Sequence, residues 1–242
     1  MSAPSAVSTV ARRALAEFVG TAFLVAAVIG SGIAATRLSA HDAGLELLEN
    51  SIVTGAALVA FILALQPVSA AFNPIVTAVE RALGGLTTRE AAALIAAQLA
   101  GGVCGAVIAN VMFDLRAVTI STHHRSGHGL WLGEVIATLG LLIVIFGTAR
   151  AGRSQRVAFA VGGYILAAYW FTSSTSFANP AVTVARMLSN TFAGIAPASV
   201  AGFIVAQLVG GVLGYALIRG LYPHAPAIPI PAVAQTTEEV KS

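Results

Sequence analysis

Residues 72–77 read FNPIVT and residues 178–183 read ANPAVT, and the fold is decided by where these two hexapeptides stand. Each opens a short apolar stretch, about 73–82 and about 179–189. Asn is a favoured N-cap, and Pro is tolerated at the first helical position because a helix start leaves that donor unsatisfied anyway. Breaker-rich segments precede both, Gln66-Pro67-Val68-Ser69 in one case and Thr172-Ser173-Ser174-Thr175-Ser176 in the other. Ten helical residues rise about 15 Å, half of a hydrocarbon core of roughly 30 Å. Both pieces are therefore read as re-entrant half-helices. Their flanking irregular backbone must be buried in protein, because lipid offers it no hydrogen bonds.

The rest of the chain supplies the membrane setting. Of 242 residues 57% are hydrophobic and 10% charged, with a mean hydropathy of +0.86. That is too little charge to coat a soluble domain. Six full spans are expected, at about 12–36, 48–67, 89–111, 131–149, 155–173 and 197–219. The first follows Arg12-Arg13 with no cleavage pattern and reads as a retained span. Residues 1–11 and 221–242 read as disordered tails around a channel domain at 12–220, whose repeats cover about 12–111 and 131–220. Nine of the 13 basic residues fall on the side that holds both termini, which places the termini in the cytoplasm by the positive-inside rule. With the arginines at the ends of apolar blocks and no basic stripe, the sequence pI near 9.5 does not signal a nucleic-acid partner. Trp131, Trp170, Tyr169 and Tyr222 fit an interfacial belt, and Cys104 reads as a small packing residue.

The two hexapeptides belong to an internal repeat. Residues 15–21, LAEFVGT, pair with 132–138, LGEVIAT, and residues 95–105, IAAQLAGGVCG, pair with 204–214, IVAQLVGGVLG. Eight of the last eleven positions are identical at a constant offset of 109. Three spans per half force the second half to start on the opposite side of the membrane, so the repeat is inverted. The half-helices then dip in from opposite faces and bring Asn73 and Asn179 together near the midplane.

Where two helix N-termini meet, free N–H groups and two positive dipole ends converge. Such a site repels cations and orients a neutral solute by its oxygen, with the Asn amides adding donors aimed into the lumen. Glu17 and Glu134 lie within spans and are read as acceptors for the backbone of the re-entrant loops, rather than as a proton relay. Glu80 and Arg186 stand seven residues after their respective Asn, each near a vestibule wall. The ladders Ala97/Gly101/Gly105 and Ala206/Gly210/Gly214 suggest close crossing of the third and sixth spans, with dimerisation of separate chains as the competing use. His123, His124 and His128 read as part of a solvated outer loop and not as a metal site; no resident metal or cofactor is implied.

These residues resemble the major intrinsic proteins, the aquaporin and aquaglyceroporin family. Asn73-Pro74-Ile75 and Asn179-Pro180-Ala181, the Glu17/Glu134 pair and the Gln98/Gln207 segments carry the likeness over about residues 12–220. The resemblance implies an all-α membrane fold of six helices and two half-helices. It also implies a homotetramer in the cell membrane, with one pore per subunit passing water, glycerol or other small neutral solutes. Departures bear on selectivity. The family's Arg three residues after the second Asn is Val182 here, and the His two residues before the first Asn is Ala71. Thr54 matches another filter position, Ser176 lies within a residue or two of a further one, and Ala167, Ala168 and Tyr169 are all candidates in the fifth span. A filter of Thr54 and Val182 reads as wide and weakly polar, favouring glycerol or metalloid hydroxides such as arsenous acid. Two other classes remain to weigh. A secondary transporter would expect a coordinating charge at the broken-helix ends, which neither motif has. An enzyme would need a nucleophile–base pair or metal cluster, and the chain offers neither.

Overall fold

The structure, a computed structural model, describes residues 6–223. The expected disorder of residues 1–5 and 224–242 lies outside the described residues. Helix α1 (Ala6–Leu38) begins six residues before the expected span, so the second half of the expected 1–11 tail is helical. Its 33 residues rise about 50 Å, and its end turns project beyond a roughly 30 Å core. After it come α2 (Ala43–Leu65), the short α3 (Pro74–Ala82), α4 (Thr88–Met112) and α5 (His128–Arg150). Then follow α6 (Val157–Phe171), the short α7 (Pro180–Ala185) and α8 (Pro197–Leu221). Five of these, α1, α2, α4, α5 and α8, are long and apolar enough to cross a membrane.

The remaining expected span, 155–173, is shorter than read from sequence. Helix α6 has 15 residues and follows a 3-10 turn, Ser154–Arg156. Together they still rise about 28 Å, close to the hydrocarbon thickness. The helix stops because Thr172 is extended and its hydroxyl folds back onto the Ala168 carbonyl at 2.7 Å. Other ends follow local chemistry too: Asp42 caps α2, and Thr87 with Glu90 forms a reciprocal capping box on α4.

Within each half the first and third long helices cross at backbone distance. A Cβ on Gly101 would lie 2.2 Å from the Phe18 carbonyl oxygen, one on Gly105 2.2 Å from that of Ala22, and one on Gly210 2.6 Å from that of Val135. The small-residue ladders thus seat α4 against α1 and α8 against α5, not α4 against α8. Periodicity showed a smooth stripe but could not say which helix lies on it. The neighbouring glycines face the re-entrant arms of the opposite half: Gly102 on α4 meets Ala181 of α7, and Gly211 on α8 meets Ile75 of α3. The halves are therefore interlocked through their arms.

The loop after α4 roofs the second arm. The Thr119 and Ser121 amides donate to the Leu188 and Met187 carbonyls at 3.0 and 2.8 Å, and Arg125 donates to the Gly194 and Phe192 carbonyls. His123, His124 and His128 are exposed, and the described residues hold no group of three metal-ligating side chains.

Candidate functional site

Asn73 and Asn179 cap the two arms and bind each to the other. The Asn73 side-chain oxygen accepts from the Ile75 amide at 2.9 Å, and that of Asn179 from the Ala181 and Val182 amides at 3.0 and 3.3 Å. Their Nδ2 groups cross over: Asn73 donates to the Ala178 carbonyl and Asn179 to the Phe72 carbonyl, both at 2.7 Å. Pro74 and Pro180 occupy the first helical positions. Each amide carries two N–H donors, so the clasp uses one and leaves one for the lumen. Both Asn side chains line the same cavity.

The carbonyls that receive these bonds are aimed by an unusual backbone. Phe72 and Ala178 adopt φ of 48° and 47°, a left-handed conformation that costs a non-glycine residue about 1–3 kcal/mol. Two fully buried carboxylates hold it in place. Glu17 accepts from the Ala71 and Phe72 amides at 2.8 and 2.7 Å and from Ser69. Glu134 accepts from the Phe177 and Ala178 amides at 2.8 and 2.9 Å. Gln98 then ties Glu17 to Thr77 of α3, as Gln207 ties Glu134 to Thr183 of α7. Each carboxylate satisfies loop N–H groups that the membrane interior could not.

The cavity beside the Asn pair is small, about 70 Å³. Thr54, Tyr169, Ser176 and Val182 all line it, and the Thr54 and Tyr169 hydroxyls hydrogen-bond at 3.1 Å. Of the three fifth-span candidates Tyr169 is the one in the lining, while Ala167 is exposed and Ala168 is buried outside it. Tyr169 is only 3% exposed, so it belongs to the cavity and not to an interfacial belt. An aromatic near a helix end is ambiguous in sequence because α6 is apolar all round. The Ser176 hydroxyl is buried without a partner among the described residues.

Phe177 and Arg186 are among the lining residues that were not singled out in the sequence as pore groups. Arg186 opens a 3-10 turn, Arg186–Leu188, that continues α7. A signal for it existed, because Asn179, Val182 and Arg186 form an i, i+3, i+7 helical stripe. Arg186 thus adds a guanidinium to the wall that Thr54 and Val182 share. On the first arm the equivalent Glu80 is not among the lining residues and lies 3.9 Å from Arg13.

The sequence model of the major intrinsic proteins matches residues 5–173 and again 151–241. The chain belongs to the major intrinsic protein family. Among its relatives it is similar to the aquaglyceroporin AqpS of Rhizobium meliloti, 48% identical over 229 residues that cover 94% of this chain and 96% of the relative. It is also similar to a probable aquaporin, TIP2-2, of Oryza sativa, 31% identical over 227 residues, 88% and 89% of the two chains. In fold it matches the X-ray structure of the aquaglyceroporin from Plasmodium falciparum with a TM-score of 0.64 over 89% of this chain and 96% of that one, at 18% identity. As a member of this family the chain is a membrane channel and not an enzyme.

Proposed function

We propose that the protein is a passive channel for water and glycerol-like neutral solutes, with its pore running past the Asn73–Asn179 clasp. The observation that carries this reading is the cavity itself, lined by both Asn side chains where two half-helix N-termini face each other. Positive dipole ends and one spare N–H per Asn favour a hydroxyl oxygen and disfavour a cation. The 48% identical aquaglyceroporin supports the polyol side of this preference. Thr54, Tyr169, Ser176 and Val182 form the outer selectivity filter, and Glu17 with Glu134 holds the loops that shape it. A filter with Val182 in place of a bulky guanidinium also admits uncharged metalloid hydroxides such as arsenous acid. The channel works as a homotetramer in the cell membrane with both termini in the cytoplasm.

Stopped-flow swelling of proteoliposomes tests the function directly. Glycerol and arsenous acid should enter faster than into empty vesicles, without saturation and without an ion gradient. Uptake that saturates and needs a sodium or proton gradient would mark a coupled transporter instead. Blue-native electrophoresis and protease accessibility of intact cells read the assembly and the topology.

A further inference from the structure

We propose that Arg186 is the specificity-determining residue of the outer mouth, supplying from two turns beyond Asn179 the fixed positive charge that Val182 does not. Arg186 lines the cavity and is 2% exposed, so its charge acts across a poorly screened space. No carboxylate among the described residues pairs with it; the ion pairs found there are those of Arg13 with Glu80 and Glu90. The Nε group donates to the Ala193 carbonyl, and the two Nη groups have no hydrogen-bond partner among the described residues, leaving them for a solute. The Arg186 Cζ lies over the Phe177 ring, 3.4 Å from its centre, and the Arg125 Cζ lies 5.3 Å from the same centre. Arg186 makes the lining positive, and Arg125, outside the lining, adds a second positive charge near the same ring. A cation meets repulsion there before it reaches the midplane, and a neutral polyol meets donors for its oxygens.

This inference rests on the channel reading above. Its test compares Arg186→Met and Arg186→Lys in proteoliposomes, with influx of guanidinium, which stays charged at neutral pH, as the cation probe and glycerol as the neutral one. Arg186→Met should raise the guanidinium-to-glycerol permeability ratio at least about tenfold, because one poorly screened unit charge is lost. Arg186→Lys, which keeps the charge, should remain near the wild type. A folded, glycerol-conducting Arg186→Met that stays as tight to guanidinium as wild type overturns the proposal. So does a Lys variant as leaky as the Met variant, since charge would then not be the operative property. If Arg186→Met is not recovered folded, Phe177→Leu frees the guanidinium from its ring. It should raise guanidinium influx about threefold, and unchanged exclusion there also counts against the assignment. Wild-type protein that passes no glycerol would sink the channel reading itself, a different outcome.

Discussion

The first re-entrant arm, α3, and the second, α7 with its 3-10 turn, begin alike and end differently. Both start on Asn-Pro, both follow a residue in the left-handed conformation, and both hang from a buried Glu–Gln–Thr chain. Seven residues on, Glu80 lies near Arg13, outside the cavity lining, while Arg186 lines the cavity with no ion pair among the described residues. The lesson concerns duplication. Groups that satisfy backbone in the membrane interior are kept in both halves, because either loop fails without them. Positions outside that shared framework are free to diverge, as Glu80 and Arg186 do at the far ends of the two arms.

The largest test of this division removes the shared part. Glu17→Ala and Glu134→Ala each strand two loop N–H groups, at a cost of about 1–3 kcal/mol for each that is buried. Both variants should lose most of the folded channel, read as the thermal midpoint of detergent-purified protein. A large loss in one and none in the other would break the symmetry argued for the arms. Next comes helix crossing: Gly101→Ala forces a methyl to 2.2 Å from a backbone oxygen, against 2.6 Å for Gly210→Ala. Both should destabilise by about 1–3 kcal/mol, with Gly101→Ala the worse. Equal melting temperatures would mean that the second half is packed as tightly as the first.

Asn73→Ala and Asn179→Ala each remove a cap worth about 1 kcal/mol together with one crossing bond between the arms. Matched losses of stability in the two single variants are expected, and a double variant should lose less than their sum because the arms share one clasp. The smallest effect belongs to Glu80→Gln. It weakens an ion pair already 3.9 Å long, so stability should fall by less than about 1 kcal/mol and solute flux should not change. A flux change as large as that sought at Arg186 would place Glu80 on the conduction path and erase the contrast between the mouths.

Much of this was legible in the chain before any coordinates. The half-helices were visible because Asn-Pro after a breaker-rich stretch has few other uses in an apolar chain, and the inversion followed from counting spans. Face assignments inside the bundle were not legible. Helix α6 is apolar on every side, so nothing in its periodicity separates Tyr169, which lines the cavity, from Ala167, which is exposed. The glycine ladders announced close contact without naming α1 and α5 as the partners. Arg186 sat on the stripe of Asn179 and Val182, yet the same spacing places Glu80 on the other arm, where the side chain is not part of the lining.

By itself, then, the sequence determined the membrane class, the inverted repeat and the two capped arms. Each follows from a requirement that lipid imposes on every backbone N–H and C=O, and such a requirement is written locally. Only the tertiary structure decided which helices touch through glycine, which aromatic turns inward and which arm puts its charged residue in the cavity lining. Those outcomes depend on what stands opposite a residue, and in a bundle apolar inside and out no hydrophobic pattern records that.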